Sequence, residues 1–332
     1  MRAITTAMLL IPLLADSSSA QQTQAVWGMN VGDRFVTQQS HQRRTTLTIE
    51  DRPETTVSSR DLLLLNYTAT AVDADGTLHL AVEILQAMRE NGTNTTLPDS
   101  EEVFAGLNGL TVKIRVEPDG HVAPESPDTH RDFLQQLSRG DRRYLTFLKQ
   151  ACPPEIMTAW FGRPFLMIGL NPNAGSEDTW ESTLTESAGN WGQLTTELRV
   201  QPQLDAGNNR IRPIAGNCTF APLVLPESSE PSGDRTELPV SELRITETSV
   251  EGRVIVADFR SRLNRAPFQE FSIVTTVSGE AVPDDSASRR MGYANVRIKQ
   301  QHDSSVSMLR FQVSNDSELP APPAGAAQPL PR

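Results

Sequence analysis

Five histidines, His41, His79, His121, His130 and His302, are the side chains of this sequence that could exchange protons or hold a metal near neutral pH. No two of them stand two or four positions apart, and no His-Glu-x-x-His run occurs, so no local zinc signature is present. A Gly-x-Ser-x-Gly elbow, which would present a serine nucleophile, is missing. So are the glycine-rich loops that cradle phosphates or dinucleotides. Adjacent carboxylates such as Glu177-Asp178 and Asp284-Asp285 read as solvated turn charges rather than as an acid and base pair. The run Asp73-Ala74-Asp75-Gly76 has its glycine fourth, where a calcium loop of the EF-hand type needs it sixth, and is read as a turn. His79 falls on the outward face of an alternating segment and is expected at the solvent surface, and His121 follows a turn and is expected in a surface loop. The residues assign no catalytic group, no metal and no cofactor, and an enzyme is the less favoured class.

Residues Met1 to Ala20 read as a secretory signal. Arg2 is followed by an apolar stretch that is too short to span a bilayer, and Ser18-Ser19-Ala20 supplies small residues for cleavage. Export, to a periplasm or to the medium, sets the expectation for Cys152 and Cys218, which lie 66 positions apart. In an oxidising compartment a Cys152–Cys218 disulfide is the simple reading, and it would stabilise by about 4 kcal/mol in the loop-entropy treatment. Two buried thiols are the alternative, and a catalytic thiol is the least favoured reading. Asn-x-Ser/Thr triplets at Asn66, Asn91, Asn94, Asn217 and Asn315 matter only in a glycosylating host. The net charge of −11 disfavours nucleic acid and anionic surfaces as partners, and no run after the signal is long and apolar enough for a membrane span.

The densest apolar run outside the signal is Trp160-Phe161-Gly162-Arg163-Pro164-Phe165-Leu166-Met167-Ile168. The first reading is core packing that seats a helix on a sheet. The functional reading gives Trp160, Phe161, Phe165 and Met167 to the lining of an apolar ligand cavity.

The elements that must position these residues are mainly strands. Leu78, Leu80, Val82 and Ile84 alternate with wet positions, and Val112, Ile114 and Val116 do the same, which favours antiparallel sheet with one face buried. Further strands are expected at 45–49, 65–72, 194–200, 243–250, 254–259, 271–277, 294–298 and 309–313. Asp73–Gly76, Pro118-Asp119-Gly120 and Val250-Glu251-Gly252 are expected as the turns between them. One helical region spans Asp128 to Lys149, with Phe133, Leu137, Tyr144 and Leu148 on a stripe and Gly140 as a break. A second helix begins at Pro153-Pro154 and stops near Gly162-Arg163-Pro164. The organisation expected is a signal over 1–20, a β-rich lobe over 21–127, a helical segment over 128–162, a second β-rich lobe over 163–314 and a Pro/Ala-rich tail over 315–332. Residues 221–240 read as a long exposed loop.

Several motifs together carry a resemblance. Trp27 and Gly32-Asp33-Arg34-Phe35 follow the signal, then an Asp-Gly hairpin over Val72 to Ile84, then Leu107-Asn108-Gly109-Leu110 leading to a Pro-Asp-Gly hairpin, and last Asp178-Thr179-Trp180. The order resembles a family of secreted bacterial β-rich proteins of unknown function, although Glu177 stands where that pattern has glycine. The resemblance implies an α+β fold, mainly antiparallel β, similar in architecture to periplasmic lipoprotein carriers with a curved half-barrel covered by helices. It brings no catalytic residues. The function expected is non-catalytic binding of an apolar ligand or envelope component, with a lipid or envelope protein as partner. A scaffold using sheet edges and the tail, and an uncharacterised hydrolase, are the alternatives.

Overall fold

The computed structural model describes residues 29–49, 53–91, 104–118, 120–142, 145, 148–149, 152, 154–167, 179–187, 192–202, 204–206, 209–222, 240–255, 268–283, 296–312 and 314. The expected signal, tail and acidic pairs lie outside these residues, as does most of 221–240. The strands are β1 (Arg34–Ile49), β2 (Thr55–Val72), β3 (Leu78–Asn91), β4 (Thr111–Val116), β5 (Val122–Pro124), β6 (Trp180–Ser187), β7 (Gly192–Val200), β8 (Leu204–Ala206), β9 (Asn209–Pro222), β10 (Val240–Ile255), β11 (Glu270–Pro283) and β12 (Val296–Gln312). They form one antiparallel sheet in the order β5-β4-β3-β2-β1-β12-β11-β10-β9-β7-β6, and β8 pairs with β9. The two expected β-rich lobes are therefore the two ends of one sheet, joined where β1 pairs with β12 along almost their whole lengths. The mainly antiparallel fold expected from the sequence is the one observed.

Between the halves lie α1 (Pro127–Ser138), α2 (Pro154–Gly162) and a 3₁₀ turn over Arg163–Met167. The N-cap of α1 is Ser126, whose N–H donates to the Thr129 hydroxyl. Arg139 and Gly140 both take positive φ and end the helix, as the Gly140 signal implied.

The sheet curls strongly. Its two edge strands, β5 and β6, both touch α2, and β6 also touches the 3₁₀ turn. A flat sheet of eleven strands would hold its edges about 48 Å apart, whereas α2 with nine residues is only about 13 Å long. Among the described residues the edges make no ladder to each other, and the helical segment lies across the seam. Gly162 allows this close approach: a side chain there would crowd Val122 of β5, with its Cβ 3.2 Å from the Val122 Cβ.

Two strands are longer than expected. Glu251-Gly252 is not a turn, because β10 runs straight through it. A Cβ at Gly252 would collide with the Ser272 carbonyl of β11, so the glycine serves close strand approach. The described parts of the two expected segments, 296–298 and 309–312, belong to one strand, β12, whose polar middle is held by pairing with β1 on one side and β11 on the other. Two apolar clusters fill the concave face. The first holds Phe35, Tyr67, Phe104, Phe133, Phe161 and Phe165 with the aliphatic residues of β2–β4. The second holds Leu166, Leu184, Leu198, Val254, Phe268 and Phe271 with their neighbours.

Candidate functional site

Between the apolar clusters the inner face turns polar. Along β1 the inward positions run Phe35, Thr37, Gln39 and His41, and along β12 they run Val296, Ile298, Gln300, His302, Ser304 and Val306. The register sets His41 opposite Ser304, and Thr275 of β11 opposite His302. From the far end of the sheet, β6 supplies Glu186, and the 3₁₀ turn supplies Arg163. The result is a buried polar cluster built from residues remote in sequence.

Glu186 is its centre. Its Oε1 accepts from Arg163 Nη2 at 3.1 Å and from the Ser304 hydroxyl, and lies 3.0 Å from His41 Nδ1. His41 Nδ1 also lies 2.9 Å from Ser304 Oγ. Burial opposes ionisation of Glu186, but the contact with His41 and the charge of Arg163 outweigh it and hold the carboxyl well below its usual range. The side chains of Glu186 and Arg163 are only 2% and 5% exposed. His302 is fully buried and kept neutral. Burial, joined by the positive field of His41, Arg43 and Arg163, pushes it down to about 3 against the pull of Glu186.

This arrangement is not a Ser–His–acid relay. Ser304 and Glu186 both approach the same imidazole nitrogen, whereas a relay needs the serine on one nitrogen and the acid on the other. Ser304 instead donates its proton to Glu186. As donors to a cation, His41, Glu186 and His302 offer one ligand atom each, all within 4.8 Å of one another. Among the described residues, the buried polar atoms without a hydrogen-bond partner are Thr37 Oγ1, Gln39 Oε1, Arg163 Nε, Thr196 Oγ1, Thr275 Oγ1 and His302 Nδ1.

None of these residues stood out in the sequence except as isolated histidines. Parity was the available signal: His41 has the parity of buried Phe35, and His302 that of Val296, Ile298 and Val306. Polar residues on a buried face do not register as hydrophobic alternation, so the middle of β12 reads as a gap between strands.

The aromatic run is packed core. Phe165 sits edge-on to Phe35 and Tyr67, Phe161 to Phe133, and partly buried Trp160 to Phe104. Tyr67 donates to the Phe161 carbonyl, and Trp180 Nε1 to the Leu166 carbonyl. The Met167 side chain and Ile168 lie outside the described residues. His79 is half-buried rather than solvent-exposed, because its ring is gripped by Glu125 on Nδ1 and Asp73 on Nε2. The Asp73 contact, then the Glu125 contact, raise its pKa. It lines a charged surface cleft of about 420 Å³ with Asp73, Asp75, Arg115 and Glu117, a lining unsuited to an apolar guest. His121 is exposed, as expected.

The expected Cys152–Cys218 disulfide is absent, and both cysteines are free and buried. Cys152 packs in the first apolar cluster and Cys218 in the second, so the two halves of the interior keep them apart. Burial pushes the Cys152 thiol up to about 12, and burial also raises Cys218. Iodoacetamide at pH 8 is therefore expected to spare both thiols in the folded chain and to alkylate both in urea. A mass showing two hydrogens fewer, with no alkylation in urea, would instead establish the disulfide.

No protein-family model and no curated protein matches the chain. Among solved structures, one described as lipid–protein interactions in lipovitellin is 9% identical at a TM-score of 0.40, covering 88% of this chain and 27% of its own. The chain thus spans about a quarter of that protein. The outer membrane protein OprG from Pseudomonas aeruginosa is 8% identical at a TM-score of 0.18, covering 86% of this chain and 97% of its own. A LolA superfamily protein from Nitrosomonas europaea is 10% identical at a TM-score of 0.17, covering 90% of this chain and 93% of its own. Similarity at this level assigns no function.

Proposed function

We propose that this chain is a non-catalytic exported protein that takes an apolar, lipid-like molecule into the concave face of its curled sheet. One observation carries the reading. The sheet's edges are joined by a helical segment, 154–167, whose aromatic side chains occupy the apolar interior. Opening such a seam breaks side-chain packing and a few side-chain hydrogen bonds while leaving every strand ladder intact. Among the described residues, side-chain bonds that tie this segment to the sheet include Tyr67 to the Phe161 carbonyl, Trp180 to the Leu166 carbonyl, and Arg163 to Glu186. Displacing Phe161 and Phe165 would expose an apolar concavity on the scale of a ligand site. The signal-like residues Met1 to Ala20 support export.

Native mass spectrometry of gently purified protein tests the proposal. A single lipid-sized adduct, removed by organic extraction and restored by incubation with phospholipid, is the expected result. No adduct, together with no uptake of N-phenylnaphthylamine by the extracted protein, would overturn it.

A further inference from the structure

We propose that His41, Glu186 and His302 bind one divalent first-row transition ion, with two imidazole nitrogens and one carboxylate oxygen as its protein ligands. The proposal does not rest on the apolar-ligand reading, although the Arg163–Glu186 contact belongs to both the seam and this cluster.

Three observations support it. The first is the donor set. Two histidines and a carboxylate suit Zn²⁺ and its first-row neighbours, whereas Ca²⁺ and Mg²⁺ prefer oxygen ligands alone. Ligand atoms of a tetrahedral ion with bonds of about 2.0–2.2 Å stand roughly 3.3–3.6 Å apart. One ligand atom from each of the three residues lies within 4.8 Å of the other two, and His41 Nδ1 stands 3.0 Å from Glu186 Oε1. Small rotamer adjustments bring them to coordination distance.

The second is His302. Its Nδ1 is fully buried and has no partner among the described residues, which is costly for a polar atom unless something occupies its lone pair. Its Nε2 lies 3.4 Å from Gln300 Oε1. An amide oxygen can only accept, so it places the ring proton on Nε2 and leaves Nδ1 bare. That is how an outer hydrogen bond selects the ligating nitrogen of a metal-bound histidine.

The third is the support around the carboxylate. Arg163 and Ser304 both donate to Glu186 Oε1 and fix the orientation of the carboxylate, and one of these donors must yield its place, or the second oxygen must turn in, for the group to ligate. Carboxylate ligands are themselves held by hydrogen bonds in the same manner. His41 now faces Glu186 through Nδ1, and to ligate it must lose the proton there, either to Nε2 or to water. The ion replaces that proton between His41 and Glu186, so the charge on Glu186 stays countered.

The test uses the full chain stripped with EDTA and desalted. Because the ligands are closed to solvent, Zn²⁺ is added both to folded protein and during refolding from urea. Competition with a chromogenic chelator is expected to show one equivalent bound. His302→Ala should weaken binding about 100-fold or more, and Gln300→Ala about 10- to 100-fold. Circular dichroism reports whether each variant folds. Should the variants fail to fold, Co²⁺ added to the unaltered chain must give the intense visible bands of a four-coordinate site with nitrogen ligands. Three outcomes would overturn the proposal: no saturable Zn²⁺ uptake by folded or refolded protein, unchanged affinity in a folded His302→Ala variant, or a purely octahedral Co²⁺ spectrum. Lipid adducts and dye uptake by the same preparations report separately on the function proposed above.

Discussion

Oxidation of a chain carrying Gly162→Cys and Val122→Cys is expected to abolish capture of N-phenylnaphthylamine, and a reductant is expected to restore it. Gly162 ends α2, Val122 begins β5, and a Cβ on Gly162 would stand 3.2 Å from the Val122 Cβ. Disulfides need about 3.5–4.5 Å between Cβ atoms, so a shift of a few tenths of an ångström suffices. Val122→Cys also removes the two methyl groups that crowd the position. The native cysteines are poor competitors, since both are buried and their thiols are raised. If a guest enters by parting the seam, locking α2 to β5 removes the competent conformer, and apparent affinity falls in proportion to its population. A loss of about tenfold or more is therefore expected on oxidation, with the reduced double variant close to the unaltered protein. Full dye uptake by the oxidised form, its cross-link verified by mass, would show that the seam is not the route.

The expectation and the structure part company where burial and polarity do. Leu78–Ile84 and Thr111–Val116 alternate cleanly because one face is apolar core and the other wet, so both strands were legible. The turns at Gly76 and Gly120 were legible because their positive φ demands glycine. Gly252 misled for the opposite reason: glycine there serves strand-to-strand approach, which a linear reading cannot separate from a turn. The middle of β12 was invisible because Gln300, His302 and Ser304 are polar yet inward-facing. The site followed them into obscurity. His41 and Ser304 meet across 263 positions, and Glu186 and Ser304 across 118, through pairings no local motif encodes. The aromatic run Trp160–Phe165 was legible as the packing that seats α2, although not as the bridge between sheet edges.

Glu186→Leu is expected to destabilise the metal-free chain by about 3–5 kcal/mol, the cost of stranding a buried partner charge. Arg163 has its guanidinium on Glu186 Oε1, and its Nε already lacks a partner. Without the carboxylate it would be a buried cation facing two histidines. Urea unfolding in the presence of EDTA measures the effect. Arg163→Met in addition should recover more than half of the loss, because removing both charges leaves apolar groups of similar volume where breaking the pair left one uncompensated. The pH dependence follows from the same groups. Glu186 is held below its ordinary value of 4.5, so its contribution is complete above that pH and is lost as pH falls through its native value. His302 titrates near 3 in the folded chain against an ordinary 6.5. The unfolded chain binds this proton first, so stability declines as pH drops from 6.5 towards 3. His302→Leu should flatten that upper part of the acid limb, while Glu186→Leu with Arg163→Met should flatten only its lower end. If both profiles kept the slope of the unaltered chain, the electrostatic roles assigned to this cluster would be wrong. Recovery by Arg163→Met distinguishes them from a packing defect at position 186, which a second substitution at the 3₁₀ turn would deepen rather than relieve.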